Sequence, residues 1–322
     1  MEMKNRRPTG MAKWTQDQRK EAQRNRLDPA MRVLRAFHSA NTPDTLSAEE
    51  LERQRKNQET LGNLVADMAG MDWEMFDLAG MPAAWMRLKR PHRRKRAVLY
   101  CHGGGYTSGN LGYSKVLSSK LTQVTGMDVL TFEYRLAPEH PYPAAVEDAL
   151  RAWDYLMHLG YGARDVILAG DSAGGNLALV LCNRLRQAER MLPAALLLMS
   201  PWTDMTMSGS SYTDREDIDP MLTPEYIRCV RAAYAGDRAD FGNPELSPLW
   251  GDFAGFPPTL IQVGTHEILH SDATGLRDRM LDAGVECRLE EWKDMWHVFQ
   301  MFPMKKATAA MEEMGRFLLE LL

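Results

Sequence analysis

Five short runs of apolar residues stand out along the chain: Val98-Leu99-Tyr100-Cys101, Val129-Leu130-Thr131-Phe132, Val166-Ile167-Leu168-Ala169, Leu196-Leu197-Leu198-Met199 and Thr259-Leu260-Ile261-Gln262-Val263. Each is too short for a core helix and shows no alternation, which is the pattern of strands buried on both faces. Segments of helical periodicity separate most of them, for example Ala144 to Leu159 and Asn176 to Arg190. This rhythm predicts a mainly parallel sheet with helices on both sides. Upstream, Met71 to Leu88 alternates as a β-hairpin at a sheet edge does. Ser47 to Met68 reads as a helix whose start is marked by Ser47 and Glu50, a capping-box pair. A last strand is expected over Glu286 to Trp292. Residues 203–250 break the rhythm: they are rich in Ser, Thr, Asp and Pro around one helical stretch, Pro224 to Ala235, and read as an insertion over the C-terminal edge of the sheet.

Composition narrows the function classes. A chain of 322 residues with formal charge −4 gives no reason to expect a nucleic-acid partner. Residues 1–36 hold ten Lys/Arg against four acids, read as a solvated helix face. The first residues lack the apolar core of a secretory signal, and no run approaches the roughly 18 apolar residues of a spanning helix, so no stable membrane insertion is expected. Cys101, Cys182, Cys229 and Cys287 are scattered without metal or redox spacing, consistent with reduced thiols and a cytoplasmic location.

Two glycine-rich motifs carry the chemistry. Gly170-Asp171-Ser172-Ala173-Gly174 follows one apolar run and fits the GxSxG elbow, a tight strand-to-helix turn that pushes a serine oxygen out of the backbone envelope. His102-Gly103-Gly104-Gly105 follows another and fits the HGGG loop, whose N–H groups receive a developing oxyanion. A serine nucleophile also needs a base and an acid, and this motif order predicts Ser, then Asp or Glu, then His. His297 lies in the loop after the expected last strand and is the best base. His38 and His158 fall in helical stretches, His92 and His140 in turns, and His102 in the glycine loop. For the acid, Glu267 and Asp272 both follow the run ending at Val263. Glu267 emerges closer to it and is favoured, whereas Ser271-Asp272 is expected to cap the next helix. His266-Glu267-Ile268-Leu269-His270 also matches the HExxH zinc pattern. That site would need both His on one helical face and a third ligand, so no metal and no cofactor are expected.

These motifs, with Tyr134–Ala145 (Tyr-Arg-Leu-Ala-Pro-Glu-His-Pro-Tyr-Pro-Ala-Ala) and Ser200-Pro201-Trp202-Thr203-Asp204, run from about Arg96 to Phe317. In them the chain resembles the hormone-sensitive-lipase-like branch (bacterial family IV) of α/β-hydrolase esterases. The resemblance implies the α/β-hydrolase fold, an eight-stranded, mainly parallel sheet under a helical cap. It further implies an oxyanion hole from the N–H groups of Gly104, Gly105 and Ala173, and homodimers through the edge strand near 286–292. Most members carry Asp-Pro-Leu at the acid position where this chain reads Glu267-Ile268-Leu269. Aligning the leucines sets Glu267 on the family's catalytic acid, as in a minority branch that uses Glu.

The expected organisation is an N-terminal helical cap segment over 1–70 and a catalytic domain over 71–322, with a cap insertion near 203–250. The expected activity is hydrolysis of small short-acyl carboxylic esters by Ser172, His297 and Glu267. Lactone hydrolysis or deacetylation of carbohydrate-like substrates is the alternative within the fold. A non-catalytic small-molecule receptor is the alternative from another class, and His297 argues against it. An apolar lining is expected to draw on Trp14, Phe37, Trp202, Met205, Met207 and Tyr212, and to suit acyl chains of roughly two to six carbons.

Overall fold

The computed structural model describes residues 31–32, 34–36, 46–90 and 96–322. The five apolar runs lie in β3 (Ala97–Cys101), β4 (Asp128–Phe132), β5 (Val166–Asp171), β6 (Ala195–Met199) and β7 (Thr259–Gly264). With the hairpin β1 (Met71–Leu78) and β2 (Met81–Leu88) and the last strand β8 (Cys287–Trp292), they form one eight-stranded sheet in the order β1-β2-β4-β3-β5-β6-β7-β8. β1 and β2 pair antiparallel, as do β2 and β4; every pairing from β4 to β8 is parallel.

The uninterrupted apolar runs have a direct cause. Val98 and Tyr100, Ile167 and Ala169, and Leu197 and Met199 face α2 (Leu111–Thr125) and α8 (Lys305–Leu321), packing on Leu117, Leu121, Met311 and Met314. The alternate residues, among them Leu99, Leu168 and Leu198, face the opposite side, where α3 (Ala144–His158), α4 (Ala173–Gln187) and α7 (His270–Asp282) bury Ala149, Trp153, Leu177, Leu181 and Leu276. Both pleat faces are covered, so neither can be polar. Edge strand β8 is only half-buried.

Two further parts sit at the C-terminal ends of the parallel strands. Residues 203–250 contain α5 (Ser211–Asp214) and α6 (Pro224–Ala235). The expected helix over 47–68 is α1 (Ala48–Val65), opened by Ser47: its Oγ accepts from the Glu50 N–H and donates to Glu50 Oε2 at 2.6 Å. Few α1 residues are buried, so side-chain anchors rather than a wide apolar face fix it. Arg55 donates to the carbonyls of Thr107 (2.9 Å) and Ala137 (3.1 Å) and forks onto Glu139, while Gln58 Oε1 accepts from the Gly109 N–H at 2.9 Å. Where α1 crosses α2 only glycine fits: a Cβ on Gly62 would lie 2.0 Å from the Gly112 carbonyl oxygen. Trp14 and Phe37, expected in a lining, lie outside the described residues. No helix among the described residues is long and apolar enough to cross a membrane.

Candidate active site

β5 ends at Asp171 and α4 begins at Ala173, leaving Ser172 alone in the turn with φ 53° and ψ −122°. Positive φ is unfavourable for a residue with a side chain, and here it turns the hydroxyl away from the sheet. The tightness of the turn dictates its glycines. A Cβ on Gly174 would stand 2.0 Å from the Cys101 carbonyl oxygen, inside any allowed contact. Gly104, at φ 115°, lets the loop after β3 fold so that its carbonyl accepts from the N–H groups of Thr107 and Ser108.

Asp171 joins the two motifs. It is fully buried and accepts from the Gly103 N–H (2.8 Å), the Tyr100 hydroxyl (2.5 Å) and the Tyr113 hydroxyl (2.6 Å). Burial raises its pKa, opposed by those hydrogen bonds. His102 is also buried. Its ring stacks on Tyr134 at 4.1 Å, and desolvation lowers its pKa to about 4, so it is a neutral packing group. Tyr134 in turn donates to the His102 carbonyl at 2.8 Å. The Tyr134–Ala145 segment therefore braces the glycine loop from behind.

His297 follows β8, as expected, and its Nε2 lies 2.9 Å from Ser172 Oγ. Its Nδ1 lies 3.0 Å from Glu267 Oε2. Glu267 has no exposed surface, and its Oε1 accepts from the Ser200 hydroxyl at 2.8 Å and from the Gly264 N–H. A carboxylate acceptor at Nδ1 fixes the proton there and leaves the Nε2 lone pair facing the serine.

The other carboxylate, Asp272, is turned away from His297. Its Oδ2 accepts from the N–H groups of Thr203 (2.8 Å) and Asp204 (2.9 Å), and burial pushes its pKa up to about 8. It does not cap α7, nor does Ser271: the helix starts at His270 without a side-chain cap, and Ser271 exchanges hydrogen bonds with Ser211 instead. That expectation is corrected because a tertiary partner outcompetes the local cap. The HExxH residues diverge. His270 Nε2 meets Glu291 Oε1, His266 Nε2 stands 3.8 Å from Asp294, and Glu267 points to His297. Among the described residues no three His, Cys, Asp or Glu side chains converge as a metal site.

Ser172 and His297 open onto a cavity of about 350 Å³. α1 supplies Gln54, Leu61 and Val65, α2 supplies Tyr113 and Val116, α6 supplies Tyr226, Ile227 and Val230, and the loop after His297 supplies Met301 and Phe302. Among the described residues no Lys, Arg, Asp or Glu lines it. Of the residues expected in an apolar lining, Trp202 is present, whereas Met205 and Tyr212 are buried in the core beside it and Met207 packs against that core. Ser200 was not anticipated from its residue type. With φ 47° at the end of β6, it donates to Glu267 and accepts from the Val298 N–H (3.1 Å), bridging the acid to the histidine loop. Its one signal is its position at the head of Ser200-Pro201-Trp202-Thr203-Asp204.

Residues 98–301 match the alpha/beta hydrolase fold family. An acetyl-hydrolase of Streptomyces hygroscopicus is 38% identical over 263 residues, 81% of this chain and 86% of that protein. An ethyl acetate hydrolase of Pseudomonas putida is 30% identical over 84% of this chain and 89% of its own length. Among solved structures, an esterase from the bacterial hormone-sensitive lipase family superposes with TM-score 0.83 at 34% identity, covering 91% of this chain and 98% of that one. The common fold and the extent of sequence identity leave one assignment: the chain belongs to the α/β-hydrolase family, in the hormone-sensitive-lipase-like branch of serine carboxylesterases.

Proposed function

We propose that the protein hydrolyses small, uncharged, short-acyl carboxylic esters with Ser172 as nucleophile, His297 as general base and acid, and Glu267 as the residue that orients and charges-balances His297. The observation that carries this reading is the unbroken path from Glu267 through His297 to Ser172, at 3.0 and 2.9 Å, ending in a cavity where no described residue of the wall is charged. Ser172 Oγ attacks the ester carbonyl as His297 Nε2 takes its proton. The imidazolium that forms is stabilised by the buried Glu267 carboxylate. The N–H groups of Gly104, Gly105 and Ala173 receive the negative oxygen, with the N-terminus of α4 adding its favourable field. His297 then protonates the departing alcohol, and a water activated by the same Nε2 releases the acid.

The lining favours alkyl and simple aryl esters over carbohydrate acetates, which need several polar partners for their hydroxyls. The relatives named as acetyl- and ethyl acetate hydrolases support a small acyl group. α1 and the 203–250 segment act as the cap over this cavity, and the half-buried edge strand β8 is the proposed contact of a homodimer. Ser172→Ala and His297→Ala should each lower kcat on a p-nitrophenyl ester by about 10⁴–10⁶, and the double variant should be little worse than either. Independent, multiplying losses would refute the shared mechanism.

A further inference from the structure

The loop that carries Glu267 is held from outside as well as by its own Gly264–Glu267 hydrogen bond. It leaves β7 at Gly264 and enters α7 at His270; on one side the Thr265 and His266 N–H groups donate to the Trp292 (3.0 Å) and Met295 (2.9 Å) carbonyls, and on the other the ties come from the 203–250 segment. Arg215 donates to the Thr265 carbonyl, and the Ser211 hydroxyl donates to the Ile268 carbonyl while accepting from the Ser271 N–H at 2.9 Å. A further tie from this segment is Asp219. Its side chain has no exposed surface; Oδ2 accepts from the Ile268 N–H at 2.8 Å, and Oδ1 accepts from the N–H groups of Met221 (2.8 Å) and Leu222 (3.0 Å). Arg35 binds the Asp219 main-chain carbonyl and that of Glu216, not the carboxylate. Three backbone donors satisfy the buried carboxylate, which would otherwise be costly, and the nearby Arg35 guanidinium adds a favourable charge.

The two oxygens of Asp219 serve opposite ends of the site. One holds the peptide immediately after Glu267; the other holds the turn that presents Met221 and Leu222 to the cavity wall. We propose that Asp219 is a positioning residue, a two-ended latch that sets the Glu267 carboxylate against His297 and couples that setting to the seating of the cap turn. Rotation of the Glu267–Ile268 peptide would swing the carboxylate out of its 3.0 Å contact with Nδ1, and displacements of about 1 Å at a reacting centre can cost about 10²-fold in rate. This inference rests on the proposed role of Glu267.

Asp219→Asn keeps the volume but turns an N–H₂ group toward one of the backbone donors, so one end of the latch opens. The test is a double-mutant cycle with Glu267→Gln, reading kcat on p-nitrophenyl butyrate per active site counted by phosphonate labelling. In the wild-type background Asp219→Asn should lower kcat per labelled site by about 10–100-fold. In the Glu267→Gln background it should lower kcat by less than about threefold, because the residue acts through the acid. Ser211→Ala, which opens the neighbouring tie, should show the same non-additivity and serves if Asp219→Asn does not fold. An equal factor in both backgrounds would mean a merely structural role and overturn the latch alone. A Glu267→Gln variant within about tenfold of wild type would overturn the role of Glu267 and the latch with it.

Discussion

Glu267→Gln is the substitution that separates the two candidate acids most sharply, and its effect can be worked from atoms. The wild-type carboxylate accepts three hydrogen bonds, from His297 Nδ1, the Ser200 hydroxyl and the Gly264 N–H. Glutamine has the same shape but one acceptor oxygen. Ser200 Oγ and the Gly264 N–H both address Oε1, so the amide oxygen takes that side and the N–H₂ group faces His297. An N–H₂ at Nδ1 requires Nδ1 to accept, which moves the imidazole proton to Nε2. That nitrogen, 2.9 Å from Ser172, then has no lone pair to take the serine proton. The same wrong-tautomer substitution in a Ser-His-Asp enzyme costs about 10⁴ in kcat, equivalent to about 5 kcal/mol of transition-state stabilisation. Steady-state hydrolysis of p-nitrophenyl butyrate, normalised to phosphonate-labelled sites, measures it. Asp272→Asn, measured alongside, should stay within about threefold of wild type because Asp272 faces the Thr203 and Asp204 N–H groups. A mild Glu267→Gln with a severe Asp272→Asn would refute the reasoning.

Two other outcomes are expected. Burial lifts the Asp272 carboxyl to about 8, so the folded protein keeps a proton that the unfolded chain releases near pH 4. The stability this supplies is complete below about pH 4, falls by about 1.4 kcal/mol per pH unit, and is gone above about pH 8. Asp272→Asn removes that slope, so its Tm should decline less than wild type between about pH 5 and 8; parallel Tm curves would refute it. On p-nitrophenyl esters, kcat/KM should peak between roughly two and six acyl carbons and fall steeply by about C10, since each CH₂ gains about 0.8 kcal/mol only while the 350 Å³ cavity has room. Sustained activity on emulsified long-chain triglyceride would contradict it.

The sheet was legible from sequence for a physical reason: strands covered by helices on both faces become mostly apolar runs, interrupted by few polar residues such as Thr131 and Gln262. In the hairpin only the start of β1 alternates, with Met71 buried and Asp72 and Glu74 exposed; exposed Met75 and the consecutively buried Ala83 to Met86 of β2 depart from that pattern. Ser172, His297 and Glu267 could be named because each occupies a loop after a recognisable strand, and the structure brings His297 within hydrogen-bond reach of both others. The cavity wall was largely illegible. Leu61, Val116, Val230 and Phe302 come from four separate parts of the chain, and no local pattern distinguishes an apolar residue facing a cavity from one facing a core. Ser200 and Asp219 were hidden for a related reason: a serine or aspartate in a loop reads as turn chemistry until its tertiary partner is known. The Ser271-Asp272 cap failed in the same way, with both side chains engaged elsewhere.

The Asp171 bridge has a mechanical consequence. Gly103 immediately precedes the first proposed oxyanion donor, and Asp171 immediately precedes the proposed nucleophile; one carboxylate joins them at 2.8 Å and is itself pinned by tyrosines from β3 and α2. A shift of either loop is therefore passed to the other. The separation between the proposed attacker and anion receptor, which the transition state senses, is thus set by one shared carboxylate. The histidine and the acid have no such bond to the glycine loop and ride on the β7 and β8 side of the sheet. Disorder introduced by heat or mutation should thus enter through the timing of proton transfer before it reaches the geometry of attack.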